Sequence, residues 1–277
     1  MSAMIPGQLS PIGEDAWRVL GRNPGMMTGP GTNSYLFGRE RLTVIDPGPA
    51  DHEHIHALLR CARELGKPID QVLVTHTHRD HSPGAQALIE ATGARPLGPE
   101  AIHDGLQDEH WQPDQPIADN DQLDCGGAAL TAIATPGHVS NHLCYLSETG
   151  LLFTGDHLIQ GSTVVIAPPS GSMSAYFSSL RKLLDYPLTA MAPGHGGLIS
   201  EPQQAIRDTL AHRQQREDKV LAALTDRPEP LASLVTRVYD DVPQFLHGVA
   251  QLSLQAHLIK LAEQQQARQS DQGWWRG

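Results

Sequence analysis

The sequence predicts a mixed α/β domain followed by a mostly helical region, and three observations carry that reading. Strand-like apolar runs alternate with helix-like segments through about the first 200 of 277 residues. Several of those runs stop at a glycine turn followed by His or Asp. From about residue 201 the strand signal fades and three helical segments follow one another. The chain is therefore divided into residues 1–200 and 201–277, the first part long enough to bury a sizeable core.

Each element follows from local chemistry. "RLTVIDPGP" is a strand closed by a turn at Asp46-Pro47-Gly48. In "DHEHIHALLRCARELG", Asp51 is placed to cap a helix and Gly66 to end it. If it is helical, only His52 and His56 share a face, and His52, His54 and His56 read as a solvated helix start. "QVLVT" is a short β-branched apolar run and so a buried strand. "GAQALIEATGA" is a second helix and "ARPLG" a brief strand. Near-alternating segments follow at "AALTAIATPG", "HLCYLSETG" and "GLLFTGD", the last two joined by a hairpin turn at "SETG". "SAYFSSLRKLLDY" is helical, and "TAMAPGHG" is a strand running into a loop. The later segments "EPQQAIRDTLAHRQQREDKVLAAL", "LASLVTRVYDD" and "VAQLSLQAHLIKLAEQQQA" are helices, and "RQSDQGWWRG" a small hairpin.

Composition narrows the function classes. No apolar run approaches the roughly 20 residues that span a bilayer, so no membrane association is expected. "MSAMIPGQLSPIGEDAW" lacks the basic start and apolar block of a secretory leader. Cys61, Cys125 and Cys144 are odd in number and far apart, which points to reduced, buried thiols and a cytoplasmic location. The formal net charge of −11 is uneven: residues 1–200 hold 11 Lys and Arg against 21 Asp and Glu, while residues 201–277 hold 9 against 10. The window 98–124 carries eight acids and neither Lys nor Arg, which disfavours a polyanionic partner such as single-stranded RNA. That window reads first as a solvated loop, with His103, His110 and Trp111 as lesser candidates for a substrate rim.

The densest chemistry lies in "VLVTHTHRDHSPGA", where His76, His78, Asp80 and His81 follow an apolar strand directly. Past a strand end the backbone turns, and neighbouring side chains converge instead of alternating between faces. Imidazoles with a carboxylate suit zinc or a similar divalent ion. Further donors stand after other strand-like runs: His138 in "ATPGHVSNH", Asp156 in "LLFTGDH" and His195 in "MAPGHGG". A preceding glycine lets the backbone bend so that each of them points inward. His142 and His157 have ordinary polar or packing roles in this reading.

With Asp46 in front of it, this ordered set resembles the metallo-β-lactamase-fold superfamily over about residues 15–200. The resemblance implies a four-layer αβ/βα sandwich whose two sheets pack face to face, with metals at one edge. It implies that His76, His78 and His138 hold one divalent ion and that Asp80, His81 and His195 hold a second. Asp156 would bridge the two, and Asp46 would orient a ligand from behind. "GPGTNSYLFG", "IDPGP", "GSTVVIAPPSGSMSAYFSSLRKL" and the helical C-terminus are similar to the branch that includes β-lactamase-like protein 2, whose C-terminal part is winged-helix-like. Arg79 departs from that pattern at a variable motif position.

The expected cofactors are two divalent ions, zinc first, with manganese or iron as alternatives. Such ions lower the pKa of water from 15.7 to about 7, roughly 12 kcal/mol in favour of hydroxide. A metal-bridging hydroxide would then cleave an ester, thioester, lactone or amide of a small-molecule substrate, with Asp80 as the catalytic carboxylate orienting it or taking its proton. Endoribonuclease action on single-stranded RNA is the alternative implied by the branch. Iron-dependent oxidation comes third, because the full second-metal ligand set and His78 argue against the oxidative patterns of the superfamily.

Overall fold

Short, largely apolar segments pair into two sheets within the first of the two units into which the chain divides. The computed structural model describes residues 4–277, so the first three residues of the stretch read for a leader lie outside the described residues. The first unit takes the chain up to Thr135 with Asn141–Ser162 and Pro187–Pro202; the second takes Pro136–Ser140, Thr163–Tyr186 and Gln203–Gly277.

One sheet follows chain order: β1 (Leu9–Gly13), β2 (Ala16–Leu20), β3 (Asn33–Phe37), β4 (Leu42–Ile45), β5 (Ile69–Leu73), β6 (Arg95–Gly98) and β7 (Gln115–Pro116). Its first four strands pair antiparallel, and β4 through β7 pair parallel. Parallel pairing requires a crossover, supplied by helix α1 (His52–Glu64) before β5 and helix α2 (Gly84–Thr92) before β6. The other sheet contains β8 (Gln122–Asp124), β9 (Ala129–Ala134), β10 (Leu143–Ser147), β11 (Leu151–Gly155) and β12 (Ala190–Pro193), in the order β12-β11-β10-β9-β8. Strands β10 and β11 form the anticipated hairpin, while β11 and β12 run parallel.

The period of two along a strand explains the layering. On β3, Tyr35 and Phe37 join a buried cluster with Ile45, Leu73, Leu130 and Phe153 from both sheets. The Phe153 ring lies 5.1 Å from Tyr35 and 5.6 Å from Phe37, in tilted and edge contacts. Leu36, between those two aromatics, points the other way with Val44 and Val72. There it meets Ile55, Leu58 and Cys61 of α1 and Leu88 of α2. All three cysteines are free and buried, as their spacing predicts.

Two differences from the sequence reading have local causes. Strands β1 to β3 are not evident in the pattern: β1 contains Pro11 and Gly13, and β3 opens with the polar pair Asn33-Ser34 although all five of its residues are buried. Helix α1 does begin at an Asp51 cap, whose side chain accepts from the backbone N–H groups of Glu53 and His54. His54, however, is fully buried and not part of a solvated start. Two residues along a helix is a turn of about 200°, so His54 faces inward to Ser34 Oγ at 2.7 Å while His52 and His56 stay exposed. Burial pushes its pKa down to about 4.

In the second unit lie α3 (Met173–Leu183), α4 (Pro202–Ala223), α5 (Leu231–Val238) and α6 (His247–Glu263), ending in a hairpin of β13 (Ala267–Ser270) and β14 (Gly273–Arg276). The core of this unit joins Val220, Leu234, Val235, Leu254, Leu258 and Trp274. Inside it, Glu217 takes Lys260 and His257 as partners on its two oxygens. Among the described residues no helix is long and apolar enough to cross a membrane.

Because Phe153 fills the space between the two sheets, Phe153→Ala leaves a cavity that the rigid strands cannot close. We expect a loss of about 3–5 kcal/mol of stability, read as a lower urea midpoint with an unchanged slope.

Candidate metal centre

The centre grows from the ends of neighbouring strands. After β4 the backbone turns at Asp46, which adopts a left-handed φ of 51°. Its buried carboxylate accepts from the Thr75 N–H at 2.7 Å and the Thr75 hydroxyl at 2.8 Å, and receives His81 Nδ1–H at 2.9 Å. One carboxylate thus ties the end of β4 to the loop that follows β5. It also fixes the tautomer of His81, directing Nε2 into the cluster. That Nε2 is buried and makes no hydrogen bond.

The remaining donors of the first unit gather around His81. Asp80 Oδ2 and Asp156 Oδ1 lie 3.6 and 3.5 Å from His81 Nε2, and 3.2 and 3.4 Å from His195 Nε2. His76 Nε2 is 3.0 Å from His78 Nδ1, with the Thr75 hydroxyl 3.0 Å from His76 Nδ1 on the far side of the ring. Since that hydroxyl donates to Asp46, it accepts from His76, leaving the lone pair of His76 on Nε2. Asp80, His81 and His195 place ligand atoms within 4.8 Å of one another, and so do His76, His81 and Asp156. The six of these residues that lie in the first unit therefore converge. The seventh, His138, belongs to the second unit, where its Nδ1 donates to Val165 O at 2.6 Å.

Close packing of backbone makes the convergence possible. A Cβ on Gly194 would stand 2.6 Å from Asp156 Oδ1 and 2.7 Å from His81 Cε1. At Gly155 it would meet Thr75 Oγ1 at 2.3 Å. Neither site has room for a side chain.

Supporting residues also include groups that the sequence reading left outside the site. His142 accepts the Asp156 N–H on Nε2 at 3.2 Å and donates from Nδ1 to the Thr135 hydroxyl at 2.9 Å. Asn33 holds the His195 loop by donating to Pro193 O and Gly196 O, both at 2.8 Å, and Tyr35 donates to Pro193 O at 2.6 Å. Only the polar start of "NSYLF" hinted at this clamp. Gln107 and Asp108, in the acidic window, pack on the ligand loop: the Asp108 N–H donates to Thr77 O at 2.7 Å and the Ser82 hydroxyl to Asp108 Oδ2 at 2.7 Å. Trp111 is not a rim residue. It is buried in the layer beneath α1 and α2, with its indole N–H on Pro99 O, while His103 and His110 are exposed.

Charge balance favours a cation. Burial opposes ionisation of Asp156, yet His195 and His81 hold its carboxyl well below the usual range. Burial likewise opposes protonation of His81 and His195, but Asp80 and Asp156 prevail. His81 is raised well above its ordinary value and His195 to about 10. Burial and the neighbouring imidazoles depress His76 instead. Protons thus occupy donor atoms whose geometry and chemistry fit a divalent ion: convergent imidazole nitrogens and carboxylates, with His81 Nε2 buried and making no hydrogen bond.

Two facing sheets with crossover helices and a buried His/Asp cluster at their strand ends define a metal-dependent hydrolase. A family model described as the metallo-beta-lactamase superfamily matches residues 27–195, and one described as the beta-lactamase associated winged helix domain matches residues 231–275. The chain belongs to the metallo-beta-lactamase superfamily and carries that winged helix domain at its C-terminal side. The Beta-lactamase-like protein 2 homolog of Drosophila melanogaster is 32% identical over 283 residues, covering 97% of this chain and 94% of that protein. An Atrochrysone carboxyl ACP thioesterase of Claviceps purpurea is 30% identical over 233 residues, covering 81% and 72%. The crystal structure of a Beta-lactamase domain protein from Burkholderia ambifaria shares the fold with a TM-score of 0.85 at 19% identity, covering 100% of this chain and 96% of that one.

Since His81 and His195 must lose protons to ligate, metal uptake should release protons and tighten as pH rises. Chelator competition at pH 6, 7 and 8 should show affinity climbing by up to about tenfold per unit for each proton displaced; a flat profile would contradict the assignment. Asp46→Asn removes the acceptor for His81 Nδ1–H. We expect about 10–100-fold weaker metal binding in the same competition, with a near-native circular dichroism spectrum.

Proposed function

We propose that this chain is a dinuclear-metal hydrolase that cleaves an ester, thioester, lactone or amide bond of a small substrate. The observation that carries the reading is the pair of overlapping donor groups, Asp80/His81/His195 and His76/His81/Asp156, which share His81. In this proposal His76 and His78 serve one ion, Asp80, His81 and His195 serve the other, and Asp156 is common to both. His138 joins the first set in this proposal, as the family resemblance implies. Zinc is the preferred ion because the donors are imidazole and carboxylate, manganese and iron being the alternatives. When bound, such ions act as Lewis acids that make hydroxide available near neutral pH and offset charge on the acyl oxygen.

The chain's own groups then divide the work. Asp80 orients the attacking water and accepts its proton. Burial opposes ionisation of Asp80, but His81 and His195 outweigh it and keep the carboxylate charged. With 30% of its side chain exposed, against 13% for Asp156 and 0% for His81, it stands nearest to solvent of the three. Asp46 and His142 hold His81 and Asp156 in place from behind. The division into a catalytic segment, 1–200, and a winged-helix-like appendage, 201–277, belongs to the same proposal, as does a cytoplasmic location inferred from three reduced thiols. The thioesterase relatives support acyl substrates, and the acidic 98–124 window weighs against single-stranded RNA.

Elemental analysis of protein purified without added metal should give two zinc ions per chain. Asp80→Ala should lower kcat/KM on thioester or lactone reporters by about 10²–10⁴-fold. Redox-active iron with oxygen consumption would overturn the hydrolase reading. Cleavage of single-stranded RNA alone, persisting at high dilution and lost in Asp80→Ala, would replace the acyl substrate with a phosphodiester.

A further inference from the structure

Three of the exposed apolar side chains of the first unit stand on loops tied to the donor cluster. Met26 and Met27 are 66% and 53% exposed, and Leu106 is 59% exposed. Single exposed hydrophobic residues are ordinary on a protein surface. These three differ in what their loops hold.

Met26 and Met27 sit at the tip of the β2–β3 connection. The base of that connection is braced where the Gly21 N–H donates to Thr32 O and Asn23 bonds to both the Thr32 hydroxyl and its N–H. A bridge between Gly25 and Gly29 and the Thr28 hydroxyl on Asn23 O close the tip. The same connection holds the cluster, since Gly31 O accepts His195 Nδ1–H at 3.2 Å and Thr32 pairs with His195. Leu106 sits on a turn in which its own N–H and that of Gln107 bond to Asp104 Oδ1. Gln107 pairs with His78, and Arg79 donates to Gly105 O at 3.1 Å. One apolar loop tip is thus anchored at His195 and the other at His78. Both are held rigid by their own hydrogen bonds while their side chains remain in water.

We propose that Met26, Met27 and Leu106 recognise an uncharged apolar acyl group; with the thioesterase relatives as the guide to the bond cleaved, the substrate class is the thioester of a medium- or long-chain acid. The inference rests on the reading of the cluster as a hydrolytic metal centre. Charge selects the occupant: the 98–124 window bearing Leu106 has eight acids and no Lys or Arg, so it favours a neutral chain over an anionic one. Methionine suits the task because its unbranched, polarisable side chain adapts to chains of different shape. In the reaction the water oxygen bonds to the acyl carbon and the carbon–sulfur bond breaks. Sulfur leaves as a thiol with one proton of that water, and the acid is released with the other.

The test uses the metal-loaded full chain and N-acetylcysteamine thioesters of acetyl, butanoyl, hexanoyl and octanoyl acids. Wild type should show kcat/KM rising at least tenfold from acetyl to octanoyl, within the roughly fourfold available for each methylene fully buried. Met26→Ser with Met27→Ser, and separately Leu106→Ser, should each cut the octanoyl-to-acetyl ratio about fivefold or more with metal content unchanged. Met26→Leu with Met27→Leu should restore it. A flat series in wild type, or an undiminished ratio in the serine variants, overturns the acyl assignment while leaving the hydrolase intact. Turnover of no thioester, with cleavage of a phosphodiester reporter, overturns the underlying reading as well.

Discussion

Everything at the metal centre leans on the carboxylate of Asp46. It is buried at the close of β4 and receives three donors, two from Thr75 and one from His81. A buried carboxylate without such partners would be costly, so the three bonds are a condition of its presence as well as a consequence. They secure the loop after β5 to its parallel neighbour and settle which nitrogen of His81 faces the cluster. Charge, tautomer and backbone path are decided together by one side chain.

The architecture explains why the donors meet where they do. In parallel β4 and β5 the chain emerges from the same edge of the sheet, and crossover helices carry it back on the outer face. The second sheet repeats the arrangement with parallel β11 and β12, whose ends deliver Asp156 and His195. Face-to-face packing through Phe153, Tyr35 and Phe37 holds both edges in register. Glycines at 155 and 194 then let backbone approach side chain more closely than any Cβ would permit. Rigidity of the scaffold serves the chemistry, because ligand geometry tolerates little displacement.

Electrostatics link the centre to its chemistry. Carboxylates hold protons on His81 and His195 that a divalent ion can replace, whereas His76, pressed by burial and by other imidazoles, stays neutral and ready to ligate. Around this core the loops diverge in character. Those beneath the donors are polar and bonded at every turn, while the tips at Met26, Met27 and Leu106 are apolar and bare. The contrast separates the candidate metal donors from the loop tips proposed to meet substrate.

Much of this was legible in the chain itself. The order of His76, His78, Asp80, His81, His138, Asp156 and His195 after apolar runs picked out the candidate donors, because strand ends and glycine turns leave a local trace in residue type, and alternating strand-like and helix-like runs carried the fold class. The Asp51 cap, the β10–β11 hairpin and the terminal hairpin were equally local. What the chain could not disclose were relations between distant segments. The burial of His54 and Trp111, the grip of Asn33 on the His195 loop and the hold of His142 on Asp156 join residues 14 to 163 positions apart or depend on which face an element turns inward. Strand β3 was hidden for a related cause: its polar Asn33 and Ser34 find their partners, Pro193 O and Gly196 O for the one and His54 for the other, 20 to 163 positions away. Residue type speaks through short range; burial and partnership are properties of the packed whole.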